Sequence, residues 1–228
     1  MKQLNTAILI FANTAQEDAS RKAIRGSKKL FQKLNEQTLK TVRQSKLPFF
    51  HLTEEAQEGT TFGERFTNAI KSVYARGYDN VITIGNDTPH LKSRQLLETA
   101  KQLQNNNFVL GPSTDGGFYL MGLHKSQFNE NLFLKLPWQS RCLAKRITLL
   151  LSTAKVEVVK LEVLQDIDVD LDINSILDSV KSISTELKRF LLSLRHSITH
   201  FCSIISIRVN QLWFPKHYNK GSPLLLNS

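Results

Sequence analysis

A continuous apolar run over residues 6–13, TAILIFAN, limits the folds open to this chain more than any other feature. A strand with one face in solvent alternates apolar and polar residues, whereas an unbroken run indicates a strand covered on both faces. A second run of this kind, NVITIG, occupies residues 80–85. Such strands are typical of parallel sheets with helices on each side. The sequence therefore predicts an α/β fold built on a mainly parallel mixed sheet.

Segments with the apolar spacing of helices lie between the strand-like runs. We predict helices over residues 28–42, 62–75, 93–103, 138–151 and 174–180. We predict further strands over residues 48–52, 108–111, 118–123 and 156–164, and a polar loop over residues 14–26. This alternation favours one α/β domain, which we assign to residues 1–180, and leaves a helical tail over residues 181–228.

The segment VITIGNDTP over residues 81–89 places polar side chains directly after a buried strand. In open α/β sheets, ligands gather at the carboxyl ends of the strands. Asn86 and Asp87 are therefore candidates for substrate and metal binding, because a carboxylate suits Mg²⁺ or Mn²⁺ and the ion neutralises a diphosphate. The alternative is an Asx turn in which Asp87 bonds only to its own backbone.

The segment GPSTDGGFYLMG over residues 111–122 places Asp115 in a turn between two strands. Gly116 and Gly117 allow the backbone a positive φ or a close approach to a ligand. The alternative is a simple hairpin, since Asp-Gly is a common hairpin signal.

Together these segments resemble a small bacterial glycosyltransferase-A-like family, whose members are often described as glycosyltransferases of arsenosugar- or selenosugar-type gene clusters. This family is distantly related to the 2-phospholactate and molybdenum-cofactor guanylyltransferases. The resemblance covers roughly residues 6–180 and rests on three spaced motifs: G-[SN]-D-[ST]-P, then L-G-P-x-x-D-G-G-[FY]-Y-L-x-G-L, then a tryptophan. The matching residues are Gly85, Asp87, Pro89, Gly111, Pro112, Asp115, Gly116, Gly117, Tyr119, Leu120, Gly122, Leu123, Pro137 and Trp138.

The resemblance implies a metal-dependent glycosyltransferase that uses a nucleotide-diphosphate-sugar donor and a small-molecule acceptor. It implies that Asp87 holds Mg²⁺ or Mn²⁺, that Asp115 is catalytic near the transferred centre, and that Trp138 lies beside the acceptor. Arg65, in a stretch that resembles the family's Q-x-G-x-x-[LF]-G-E-R, is then a candidate for phosphate binding, or alternatively an exposed helix residue. A nucleotidyltransferase that releases pyrophosphate is the alternative enzyme.

The first loop departs from the resemblance. The family usually carries P-x-x-G-x-x-K-T-R-L there, whereas this chain has TAQEDASRKAI, with two acidic residues and neither the proline nor the glycine. Arg21, Lys22 and Arg25 are candidate phosphate-binding cations in its place, or alternatively a solvated face. A catalytically degraded nucleotide-binding module is therefore a further alternative.

Four aspartates alternate with apolar residues over residues 166–173, DIDVDLDI. The central glycine and final glutamate of an EF-hand are missing, so a calcium loop of that kind is not predicted. Related transferases carry an acidic element here, which makes Asp168 a candidate second metal ligand. The alternative is that Asp172 or Asn174 caps a helix and the other aspartates are solvated.

Most of the net charge of +10 comes from the tail, where residues 181–228 contain seven Lys and Arg but one acid. The basic residues flank an apolar helical stripe, which predicts packing on the domain, dimerisation or peripheral membrane contact. They are too few, and unframed by a known motif, to predict nucleic-acid binding. The sequence indicates neither a signal peptide nor a membrane span. We predict that Cys142 and Cys202 are buried free thiols, and we therefore expect a cytoplasmic protein.

Overall fold

The computed structural model describes residues 5–22, 24 and 26–196 of the 228-residue chain. Its centre is a six-stranded sheet in the order β2-β1-β3-β5-β4-β6. The strands are β1 (Thr6–Phe11), β2 (Phe49–Leu52), β3 (Asn80–Ile84), β4 (Phe108–Pro112), β5 (Phe118–His124) and β6 (Val158–Lys160).

Among the described residues, seven α-helices lie between or after the strands, and an eighth follows them. They are α1 (Ala15–Arg21), α2 (Ser27–Ser45), α3 (Phe62–Ala75), α4 (Ser93–Gln104), α5 (Glu130–Leu134), α6 (Leu143–Thr153), α7 (Asp170–Asp178) and α8 (residues 185–196).

The direction of the strands confirms the predicted mainly parallel mixed sheet. β1 pairs in parallel with both β2 and β3, and β4 pairs in parallel with β6. Only β5 runs the other way, between β3 and β4. The carboxyl ends of β1, β3 and β4 therefore meet at one edge, together with the turn that leads into β5.

The two predicted apolar runs are buried because helices cover both faces of the sheet. Ala7 and Leu9 of β1 point to one face, where they share a core with α3 and α6. Ile8 and Ile10 point to the other face and pack in a core with α2 and α4. The alternation of side chains across a strand thus feeds two separate cores, as an unbroken apolar run requires.

Several predicted boundaries were wrong, and the largest error is the loop over residues 14–26, which contains helix α1. Thr14 caps this helix by accepting a hydrogen bond from the Glu17 backbone, and the Arg21 guanidinium pairs with Glu17 at 2.6 Å. α6 begins at Leu143 and not at residue 138, while the strand predicted over residues 156–164 is confined to β6. Because Asp172 accepts hydrogen bonds from two backbone amides, α7 begins four residues earlier than predicted.

The described part of the tail packs on the domain. Leu187 and Leu191 of α8 are buried in a third core with residues of α2 and α7. The rest of the predicted apolar stripe, from Ile198 onwards, lies outside the described residues, so dimerisation and membrane contact stay predictions. No helix among the described residues is long and apolar enough to cross a bilayer. Cys142 was expected to be buried, but its free thiol is exposed; Cys202 is not described.

Candidate active site

An open cleft with a volume of about 580 Å³ lies at the carboxyl edge of the sheet. Ligands of open α/β folds bind at this edge. Nine of the ten site residues predicted from the sequence line the cleft: Arg21, Lys22, Arg65, Asn86, Asp87, Asp115, Gly117, Trp138 and Asp168. The tenth, Gly116, lies in the turn between Asp115 and Gly117. Arg25 is not among the described residues.

The ammonium group of Lys22 joins the two carboxylates that were predicted to bind a metal. Lys22 Nζ lies 2.8 Å from Asp87 Oδ2 and 2.8 Å from Asp168 Oδ1. It also donates a hydrogen bond of 3.0 Å to the backbone carbonyl of Ile167, and it lies 5.2 Å from the centroid of the Phe31 ring. Asp87 therefore does more than close a local turn, and residues far apart in the sequence meet here.

Burial and neighbouring carboxylates shift the pKa values of two groups here, Lys22 and Asp166. Burial opposes the charge of Lys22, but Asp87 and then Asp168 outweigh it and raise the pKa of the ammonium above its usual range. Asp166, whose carboxylate accepts a hydrogen bond from the Thr88 hydroxyl, lies beside them. Burial, followed by the charge of Asp87, raises the pKa of Asp166 to about 8. The site therefore holds the positive charge of Lys22 among an excess of acidic groups.

Three oxygen atoms converge on the Lys22 ammonium, from Asp87, Asp168 and the Ile167 carbonyl. Such hard oxygens are the ligands that Mg²⁺ prefers. Among the described residues, no three His, Cys, Asp or Glu side chains form a group that could hold a metal ion. An ion bound here would complete its shell with water or substrate oxygens, as Mg²⁺ commonly does. The donor atoms fit Mg²⁺ or Mn²⁺, but the ion and the ammonium need the same oxygens.

Asn86 fixes helix α1 to the sheet. Its side-chain amide donates hydrogen bonds of 2.9 Å to Asp18 Oδ2 and 2.6 Å to Asn35 Oδ1. Asn13 donates a 2.9 Å hydrogen bond to the other oxygen of Asp18. Asp18 is only 4% exposed, so its carboxylate depends on these partners. Asp18 is one of the two acidic residues by which this segment departs from the family's first loop, and it anchors the helix that leads to Lys22.

Arg21 reaches the cleft from the end of α1, but its charge is compensated. Its guanidinium pairs with Glu17 one helical turn earlier, and about half of the side chain is exposed. Lys22 directs its charge at the cleft carboxylates, whereas Arg21 is available to a phosphate only when it leaves Glu17.

Asp115 lies in a tight turn that closes the β4–β5 hairpin. Asp115 Oδ1 accepts hydrogen bonds from the Ser113 hydroxyl and, at 2.9 Å, from the Gly117 amide. Gly116 has a φ of +92°, and a Cβ atom there would lie 1.9 Å from the carbonyl oxygen of Arg141. Asp115 therefore both closes a hairpin turn and lines the cleft. Gly116 is needed because the backbone of Arg141 approaches it closely.

An aromatic group forms another side of the cleft. The Trp138 ring packs 4.9 Å from the Phe66 ring and 5.5 Å from the Phe62 ring, measured between centroids. The indole N–H donates a 2.7 Å hydrogen bond to the Phe133 carbonyl. A Cβ atom at Gly63 would lie 2.7 Å from Trp138, so the glycine makes room for the indole. Trp138 is therefore held rigidly, with its polar atom already bonded.

Two arginines lie near this aromatic side. Arg65 lines the cleft from the first turn of α3 and donates a long 3.3 Å hydrogen bond to the Thr60 carbonyl. Arg141, which sequence reasoning missed, lines the same cleft and is exposed. Its signal in the sequence was only its position three residues after Pro137–Trp138. Asp18 and Asp166 were also missed as organising residues, because nothing local distinguishes a buried aspartate from a solvated one.

Residues 12–140 match the model of a bacterial family described as "Uncharacterized protein conserved in bacteria" (DUF2064). This match spans more than half of the chain. The chain belongs to the DUF2064 family. The part shared with the family contains α1, the Asn86–Asp87 loop, the β4–β5 turn and Trp138, whereas Asp166 and Asp168 lie beyond it. A search of curated proteins finds no match.

Solved structures place this DUF2064 member in a known fold. A protein of Desulfovibrio desulfuricans G20, provisionally described as a nucleotide-diphospho-sugar transferase, is 21% identical with a TM-score of 0.66, over 86% of this chain and 98% of that one. The 4-diphosphocytidyl-2C-methyl-D-erythritol synthase of Anaerococcus prevotii DSM 20548 is 12% identical with a TM-score of 0.47, over 86% and 100%. The first similarity establishes the glycosyltransferase-A-like fold, and the second is too low to carry an argument.

Proposed function

We propose that this chain is a glycosyltransferase that takes a sugar from a nucleotide-diphosphate donor bound in the cleft. One observation carries the proposal: two carboxylates and cations from three separate segments meet in a single cleft at the carboxyl edge of the sheet. The carboxylates are Asp87 and Asp168. The cations are Lys22 after α1, Arg65 on α3 and Arg141 before α6. A diphosphate needs cations around it, and it is held at this edge in folds of this kind.

The diphosphate of the donor lies, in this proposal, between Lys22 and the two arginines. Arginine suits this role because its planar fork can bind two phosphate oxygens at once. Asp87 and Asp168 would hold Mg²⁺ or Mn²⁺ once Lys22 is drawn to a phosphate, and the ion would supply positive charge beside the diphosphate. Lys22, Arg65 and Arg141 stabilise the negative charge of the nucleoside diphosphate as its bond to the sugar breaks.

The acceptor lies towards Asp115 and Trp138 on the other side of the transferred sugar. Asp115 is exposed at the mouth of the turn, within reach of an acceptor hydroxyl. Its carboxylate takes the hydroxyl proton as the acceptor oxygen bonds to the sugar carbon and the nucleoside diphosphate departs with the electron pair. The rigid indole of Trp138 supplies a flat apolar surface beside it.

The positions of Arg21 and Lys22 favour an active transferase over a degraded binding module. A degraded first segment would direct these side chains away from the strand ends. Both line the cleft, and Lys22 contacts Asp87 directly. Nucleotidyl transfer with release of pyrophosphate uses the same cleft, and the products tell the two reactions apart.

The finer parts of the proposal rest on the sequence motifs. These motifs support membership among the glycosyltransferases of arsenosugar- or selenosugar-type gene clusters. The free thiol of Cys142 supports a cytoplasmic location. The tail beyond residue 196 is proposed to support dimerisation or peripheral membrane contact.

Titration calorimetry with nucleoside diphosphates, nucleoside triphosphates and nucleotide-sugars, with and without Mn²⁺, tests the donor class. We expect one nucleotide class to bind in a Mn²⁺-dependent manner, and Asp87→Asn to weaken this binding by about tenfold or more, because a metal ligand is removed. Asp178→Asn is the matched control, since Asp178 lies outside the cleft. Incubation with the donor that binds then shows whether nucleoside diphosphate or pyrophosphate is released.

The proposal is wrong if no nucleotide binds at millimolar concentration, or if Asp87→Asn and Asp178→Asn bind equally well. Release of pyrophosphate, and not of nucleoside diphosphate, would convert the assignment to nucleotidyl transfer.

A further inference from the structure

Lys22 holds the position that a divalent cation would need. Its ammonium lies within 3.0 Å of three oxygen atoms, contributed by Asp87, Asp168 and the Ile167 carbonyl. The side chain is only 20% exposed and rests against the Phe31 ring. The three oxygens thus surround a cation as metal ligands would, but this cation is the ammonium group of the protein's own lysine.

Hydrogen bonds of helix α1 hold the backbone of Lys22 beside these carboxylates. Its backbone amide donates a 2.9 Å hydrogen bond to the Asp18 carbonyl at the end of α1. The side chain of Asp18 is in turn bound by Asn86, which follows the same strand as Asp87. The backbone at Lys22 is therefore tied to the loop that carries Asp87.

We propose that Lys22 is the resident counter-ion of Asp87 and Asp168, and that it excludes a divalent ion until a phosphate-bearing ligand draws the ammonium away. An ammonium and a divalent ion cannot share these oxygens, because both are positive and both need direct contact. A phosphate offers Lys22 a new anionic partner within the same cleft. Metal and nucleotide then bind together, whereas metal alone binds poorly. This inference rests on the proposed metal role of Asp87 and Asp168 and not on the identity of the donor.

Mn²⁺ binding in the absence of nucleotide tests the inference, measured from the electron paramagnetic resonance signal of the free ion. We expect Lys22→Met to bind Mn²⁺ at least about tenfold more tightly than the natural protein, because the competing cation is removed from a partly buried pair. Lys33→Met is the matched control: Lys33 is also paired with a carboxylate, Glu186, and also lies over a phenylalanine ring, but outside the cleft. We expect its Mn²⁺ affinity to equal that of the natural protein.

The double variant Lys22→Met with Asp87→Asn assigns the gain to this site, because it should lose the tighter binding. If Lys22→Met does not melt cooperatively, Lys22→Gln replaces it in the Mn²⁺ titration.

Equal Mn²⁺ affinity in Lys22→Met, Lys22→Gln and the natural protein would overturn the inference. This outcome is separate from those of the nucleotide titration. Nucleotide binding with unchanged Mn²⁺ affinity in the lysine variants would leave the proposed donor class standing and remove the exchange. Tighter Mn²⁺ binding by the lysine variants without any nucleotide binding would support competition between Lys22 and the metal and contradict the proposed donor class.

Discussion

The hydrogen bonds of Asn86 provide a direct test of how α1 and Lys22 are held. Asn86 is 6% exposed, and the change to alanine removes its bonds to Asp18 and Asn35. A hydrogen bond to a buried charged group contributes about 1.5–3 kcal/mol, and one to a neutral group about 1 kcal/mol. We therefore expect Asn86→Ala to lower the free energy of unfolding by about 3 kcal/mol. For a chain of this size, that corresponds to a melting temperature roughly 6–12 °C lower.

Urea denaturation followed by circular dichroism measures the change. Asn35→Ala removes only the neutral bond and should lower the free energy of unfolding by about 1 kcal/mol. Asn68→Ala is the control, because the hydrogen bond of Asn68 to the Glu58 carbonyl is exposed, and we expect a change within about 0.5 kcal/mol. The reasoning is refuted if Asn86→Ala unfolds at the same urea concentration as Asn68→Ala, since Asp18 would then not depend on Asn86.

Two further predictions concern the turn and the start of α3. Gly116→Ala should lower the free energy of unfolding by about 2 kcal/mol or more, because it adds a Cβ at positive φ against the Arg141 carbonyl; a melting temperature equal to that of the natural protein would contradict this. Hydrogen bonds led by that from the Thr60 hydroxyl lower the pKa of Glu64 from 4.5 to about 2. Because the pKa is lowered in the folded state, the stabilisation is present above pH 4.5 and is lost as the pH falls towards 2. Glu64→Gln should therefore melt below the natural protein at pH 7, and this gap should shrink steadily in melting curves recorded down to pH 2; a constant gap would exclude the carboxylate as its cause.

The strands were predictable because their signal is local and strong. The apolar runs that became β1 and β3 are unbroken, and each is buried on both faces as expected. α1 was not predictable, because its sequence is polar and its support comes from elsewhere in the chain. Thr14 bonds to Glu54, 40 positions away, and Asp18 bonds to Asn86, 68 positions away. A helix of seven residues cannot persist on local propensity alone, so tertiary contacts decide its existence.

The members of the candidate site were largely predictable, but their connections were not. Residues that follow parallel strands meet at one edge, so Asp87 and Asp115 could be placed in the same cleft from strand order. The contact of Lys22 with Asp87 spans 65 positions, and its contact with Ile167 spans 145. No periodicity carries information over such distances. The sequence could offer Lys22 as a candidate cation, but not reveal which carboxylates it neutralises.

The departure of the first segment from the family pattern takes on a different meaning once α1 is in place. Two acidic residues there suggested that phosphate affinity had been lost, because Glu17 and Asp18 appeared to add negative charge to the cleft. In the structure Glu17 is paired with Arg21, and Asp18 is turned inward to bind Asn86. The two acidic residues thus help to form and anchor the short helix α1. Lys22, which follows this helix, contributes its positive charge to the cleft. A segment without the glycine-bearing phosphate loop can therefore still deliver a cation to the carboxyl edge, and the Mn²⁺ affinity of Lys22→Met measures how firmly it does so.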